Sequence, residues 1–206
     1  MNISRRQILQ TLGFGMMATQ IPFAVAAGTV PGQALKPPRL RPGDTVGLIN
    51  PAGATFHPED VVIAEETLTA LGLKMKSGQH LLDRYGYLAG KDEARAADIN
   101  DMFADPDVKA LLTLRGGWGC NRLLPLLDYD RVAANPKILM GYSDITSLLL
   151  ALNAKTGLVT FHGPVGTSTW NQYSTDFVKR LLFDAEKFSM ENPVEKGDSL
   201  TQKKDR

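Results

Sequence analysis

The chain has 206 residues, 43% of them hydrophobic and 22% charged, which excludes a disordered protein and allows one substantial core, or one domain and part of another. Its net charge of +1, with no dense Lys/Arg run and no basic-aromatic stripe, gives no reason to expect a nucleic-acid partner. A single cysteine, Cys120, excludes an intramolecular disulfide, and three scattered histidines lack zinc-ligand spacing, so neither a metal nor a cofactor is expected.

Residues 1–26 read as an export signal. Ser4-Arg5-Arg6-Gln7-Ile8-Leu9 precedes a mildly apolar run, and Ala24-Val25-Ala26 offers small residues for cleavage. Paired arginines suit the twin-arginine route, with an ordinary secretory signal as the alternative, and both place the mature protein in the periplasm or otherwise outside the cytoplasm. Gly13, Gly15, Thr19, Gln20 and Pro22 dilute the run, so no stable membrane anchor is expected. Residues 27–42 then read as a linker, 43–190 as the folded domain, and 191–206 as an interdomain approach ending in a polar, divergent tail.

Within the domain, strand and helix patterns alternate, which predicts an α/β fold with a mostly parallel sheet and helices on both faces. Strands are expected at Thr45 to Asn50, Leu73 to Lys76, Lys109 to Leu114, Lys137 to Tyr142 and Leu158 to Phe161. Helices are expected at Pro58 to Leu71, at Asp92 to Ala104 behind an aspartate cap, at Asn121 to Leu127, and at Ser174 to Phe183. Ile145, Leu148, Leu149 and Leu152 recur at helical spacing just after the fourth strand.

Unusual residues stand at three strand ends: Asn50-Pro51-Ala52-Gly53, Arg115-Gly116-Gly117-Trp118-Gly119 and Gly141-Tyr142-Ser143-Asp144. In open α/β sheets such ends line the ligand crevice. Ser143, at a sharp strand-to-helix turn, reads as a nucleophile or as a simple helix cap, and Ile145 stands where a hydrolase elbow has its second glycine. The loop at Gly116 and Gly117 reads as a tight turn or as a donor loop that joins the Asp144 amide in an oxyanion hole. Phosphate binding is disfavoured there, since no Gly-Lys-Ser/Thr follows. Trp118 reads equally as pocket lining or as packing, and His162 as a loop-bonding residue or, less readily, as a base for Ser143. His57 and His80 receive no role.

Taken together, Leu40-Arg41-Pro42-Gly43-Asp44-Thr45-Val46, Pro51-Ala52-Gly53, Arg84-Tyr85-Gly86-Tyr87-Leu88-Ala89-Gly90, Phe103-Ala104-Asp105-Pro106, Arg115-Gly116-Gly117-Trp118-Gly119, Gly141-Tyr142-Ser143-Asp144-Ile145-Thr146 and Phe161-His162-Gly163-Pro164 resemble the LD-carboxypeptidases. These serine peptidases remove terminal D-alanine from peptidoglycan tetrapeptides, and the family includes microcin-resistance peptidases. The resemblance implies a flavodoxin-like N-terminal domain of the class I glutamine amidotransferase type. It implies Ser143 as nucleophile and the amides of Asp144, Gly116 and Gly117 as oxyanion donors, acting on a peptidoglycan tetrapeptide substrate; Arg115, Trp118 and His162 are the candidate substrate-binding residues beside them. The family's triad is Ser-His-Glu, its histidine and glutamate coming from a C-terminal domain. That domain is expected to be missing here, leaving activity impaired. A microcin-type peptide–nucleotide hydrolase and a non-catalytic peptidoglycan-fragment binder are the alternatives, and homodimerisation stays open.

Overall fold

The computed structural model describes residues 34–190; the segment expected as an export signal, the first part of the expected linker and the residues from 191 on lie outside the described residues. Five strands, β1 (Thr45–Ile49), β2 (Lys74–Ser77), β3 (Val108–Thr113), β4 (Ile138–Gly141) and β5 (Phe161–His162), form one parallel sheet in the order β2-β1-β3-β4-β5. This is the flavodoxin-like order, and its topological switch point falls between β1 and β3.

Helices α1 (Glu59–Ala70), α2 (Asp92–Ala104), α3 (Tyr129–Ala134), α4 (Thr146–Thr156) and α5 (Gln172–Leu182) cover both faces. Alternate strand residues explain how. Ile49, Leu111 and Leu139 point to one side and pack with Ile99, Phe103, Leu148 and Leu152 of α2 and α4. Their neighbours Leu48, Leu112 and Met140 point to the other side and meet Leu68 of α1 and Val178 and Leu182 of α5. Each such buried side chain contributes about 1.5–3 kcal/mol of apolar transfer, so the sheet is fixed from both sides.

Some elements depart from the sequence pattern, for local reasons. The stretch expected as a helix at Asn121 to Leu127 is two 3-10 turns, Cys120–Arg122 and Leu124–Leu126, because Pro125 has no N–H to continue an α-helical ladder. Helix α3 follows unannounced, capped by the Asp128 carboxylate, which accepts from the Arg131 amide at 2.9 Å. No aspartate caps α2: Lys91 holds the cap position, and the Asp92 carboxylate accepts instead from Arg95 at 2.5 Å and Arg122 at 2.7 Å. The fifth strand begins later than expected. Leu158 bridges Leu35, and the Val159 amide donates to the Leu35 carbonyl at 2.9 Å, so the backbone before Phe161 pairs with the incoming chain instead of β4.

Candidate functional site

Three loops meet at the carboxyl ends of β1, β3 and β4. Ser143 stands at the end of β4, where Tyr142 is extended and a 3-10 turn, Ser143–Ile145, leads into α4. Its φ of +63° is left-handed, a conformation that costs a non-glycine residue on the order of 1–2 kcal/mol. The strain holds the side chain out of the sheet and exposed.

Glycines make this turn possible. A Cβ on Gly141 would collide with Thr113 Oγ1 and lie 2.8 Å from Ile145 Cγ2, so only glycine lets β4 pass between them. A Cβ on Gly116 would lie 3.0 Å from Ser143 Cβ and 3.3 Å from its Oγ, which places the loop backbone directly against the serine. Gly117 has a φ of +139°, and a Cβ there would come within 2.8 Å of the Gly53 amide nitrogen and 2.9 Å of the Tyr87 hydroxyl.

The backbone hydrogen bonds orient this loop. The Gly116 carbonyl accepts from the Gly53 N–H at 3.4 Å, and across a planar trans peptide the Gly117 N–H points the opposite way, away from Gly53. That N–H has no acceptor among the described residues and lies at the wall of the crevice. The Asp144 N–H, in the first turn of the Ser143–Ile145 segment, has no acceptor one turn back within that segment. The Asp144 carboxylate serves a different purpose, accepting from the Cys120 N–H at 2.7 Å and so tying the serine turn to the glycine loop.

The resulting crevice, about 300 Å³ and mostly polar, is lined by Ser143, Gly116, Gly117, Arg115, Asp60 and Tyr142, with Val165 and Thr167 behind them. Among the described residues Arg115 is the one cation on this wall; its Nη1 donates to the Ala54 carbonyl at 3.0 Å and its Nε to the Gly116 carbonyl at 3.3 Å. Asp60 accepts from the Thr55 hydroxyl. Trp118 is 59% exposed and lines no part of the crevice. His162 lies elsewhere. Its ring sits edge-on to Tyr142 at 6.3 Å and lines a neighbouring apolar groove with Tyr173 and Phe177. No histidine or glutamate lines the Ser143 crevice among the described residues, and no hydrogen-bond partner for Ser143 Oγ is found there. His80 is paired with Asp83 at 2.8 Å.

One residue that shapes this site escaped the sequence reading. Arg95, 1% exposed, reaches from α2 beneath the loops and donates to the Pro51 carbonyl at 2.5 Å and the Gly119 carbonyl at 3.3 Å, with Asp92 as its counter-ion. It therefore joins the loop after β1 to the loop after β3. A signal was present: Arg95, Ile99 and Met102 follow i, i+4, i+7 spacing, which puts a charge on the buried stripe. Cys120 sits beside it, and burial, reinforced by the charge of Asp144, pushes its thiol far above the usual range, so it offers no thiolate. Among the described residues no group of three His, Cys, Asp or Glu side chains is placed to hold a metal ion.

A family profile described as the LD-carboxypeptidase N-terminal domain matches residues 46–163, a span that includes the Ser143 turn and the Gly116-Gly117 loop. The probable murein peptide carboxypeptidase of Bacillus subtilis is 47% identical over 130 residues, 63% of this chain and 40% of its own length. The microcin C7 self-immunity protein MccF of Escherichia coli is 41% identical over 127 residues, 61% of this chain and 37% of its own. The crystal structure of an MccF-like protein from Bacillus anthracis superposes with a TM-score of 0.69 at 36% identity, covering 73% of this chain and 47% of that one. The chain thus spans less than half the length of these relatives. The chain belongs to the LD-carboxypeptidase family.

Proposed function

We propose that the Ser143 crevice is the nucleophile half of a serine LD-carboxypeptidase site, acting on the L,D-peptide bond that precedes the terminal D-alanine of peptidoglycan tetrapeptides. The observation that carries this reading is Ser143 itself, held left-handed at the strand-to-helix turn with Gly116 against its side chain. In the reaction, Ser143 Oγ attacks the peptide carbonyl while its proton passes to a base. The amides of Gly117 and Asp144 take the developing oxyanion. The C–N bond then breaks, D-alanine leaves with the proton, and water hydrolyses the acyl-enzyme. The resemblance to the family assigns the base to a histidine oriented by a glutamate, and neither lines the described crevice. Arg115, the cation on the wall, suits the terminal carboxylate that distinguishes a carboxypeptidase substrate. Export by the twin-arginine route belongs to the same proposal, supported by Ser4-Arg5-Arg6 and Ala24-Val25-Ala26.

The test is D-alanine release from a peptidoglycan tetrapeptide by a protein carrying this domain together with the family's histidine and glutamate. Ser143→Ala is expected to lower turnover by roughly 10⁴–10⁶-fold. Arg115→Gln is expected to raise KM more than it lowers kcat, and unchanged release by the serine variant would refute the assignment. The 41% identity to MccF supports a second reading, a peptide–nucleotide conjugate as substrate. Faster cleavage of such a conjugate than of the tetrapeptide would select it.

A further inference from the structure

We propose that the cleft at the amino-terminal ends of β1, β3 and β4, opposite the Ser143 edge of the sheet, binds a small anion that carries a phosphate or diphosphate group. The cleft encloses about 470 Å³, within the range of small-molecule sites and too small for a polymer groove. Four lining side chains are cations, Arg39, Arg41, Lys109 and Lys137, against the single acid Asp44. Asp44 is already engaged, its Oδ2 accepting from the Arg41 N–H at 2.7 Å. The nearby Asp105 carboxylate is engaged as well, paired with Lys76.

The cations keep donors in reserve. Lys109 spends one N–H on the Pro106 carbonyl at 2.6 Å; Lys137 spends two, on the carbonyls of Met102 at 2.8 Å and of Asp105. Arg39 and Arg41 are exposed, and neither guanidinium has a partner among the described residues. Two guanidinium forks beside two ammonium point charges match a tetrahedral oxyanion of more than one negative charge better than a lone carboxylate. Pro38, Pro106 and Pro136 stiffen the walls, so little ordering is needed on binding. Burial is the main burden on the Lys137 ammonium and Asp105 attracts it; the smaller repulsion from Lys109 and Lys76 is one that a bound phosphate would relieve.

This site is independent of the Ser143 reading, and its test separates the two. The full chain is titrated calorimetrically with inorganic pyrophosphate at low ionic strength, and in parallel sedimented with phosphatidylglycerol vesicles. Saturable binding is expected, weakened by about tenfold or more in the Arg39→Ala/Arg41→Ala variant and unchanged by Ser143→Ala. The two arginines are exposed, so the variant should melt like the parent chain. Pyrophosphate binding alone identifies a soluble phosphate ester as the ligand class; vesicle binding lost in the same variant identifies a lipid headgroup. Saturable binding of neither probe, or equal binding by the double variant, overturns the proposal.

Discussion

At the carboxyl ends of the strands the crevice is shaped by backbone, with Gly53, Gly116, Gly117 and Gly141 standing where a Cβ would crowd or collide, whereas the amino-terminal ends gather long cationic side chains around Lys137. The two constructions tolerate change differently. A backbone-built site depends on small residues and buried anchors, so single substitutions there disturb the fold and the chemistry together. The exposed cations of the other site, Arg39, Arg41 and Lys109, can be lost one by one with little effect on stability, and of its four cations only Lys137 is buried.

Arg95 gives the strongest way to break this contrast, because it is the buried side chain on which the backbone-built end rests. Arg95→Met keeps most of the volume but leaves the carbonyls of Pro51 and Gly119 without their donor. A loss of about 3 kcal/mol is expected by urea denaturation. A loss below about 1 kcal/mol would show that the loops hold their shape without the arginine.

Gly141→Ala should come next, at about 1–3 kcal/mol, since the new methyl meets Thr113 Oγ1 and Ile145 Cγ2, both on buried residues. Thr113→Ala should restore part of that loss in the double variant, and the coupling is read from a double-mutant cycle. Additive effects would mean that β4 shifts bodily and that the collision with Thr113 is not what selects glycine.

The same contrast explains how much was legible in the sequence. The parallel sheet could be read because strands buried on both faces, such as Ala110-Leu111-Leu112, are continuous apolar runs. The Ser143 turn and the Gly116-Gly117 loop could be located because backbone-built features are local: the glycines stand beside the residues they serve. Helix α3 leaves no periodic stripe because Tyr129–Ala134 is too short, and the sequence places β5 too early because Leu158 and Val159 find their partner at Leu35, far away in sequence. Asp60 carries only a helical signal in the sequence, since nothing in its own segment shows that it faces the Ser143 crevice. The basic cleft had no local signature at all. Arg39, Arg41, Lys109 and Lys137 form no run and are brought together only by the sheet.

Lys137 offers the smallest and most specific test of the side-chain-built end. Burial lowers its ammonium from the usual 10.5 to about 8, with the attraction of Asp105 only partly offsetting the loss of water. Between about pH 8 and 10.5 the unfolded chain therefore holds more protons at this residue than the folded one, and stability from this group rises with pH across that window. Below about pH 8 both states are charged and its contribution stays flat. Lys137→Met removes the titration but also the donor to the carbonyls of Met102 and Asp105, so its mean stability is not the relevant readout. The difference in melting temperature between parent and variant should grow in favour of the parent from pH 8 to 10, because only the parent gains as the ammonium is lost. A difference independent of pH would place the Lys137 ammonium in water, and the cleft would then lack its buried cation.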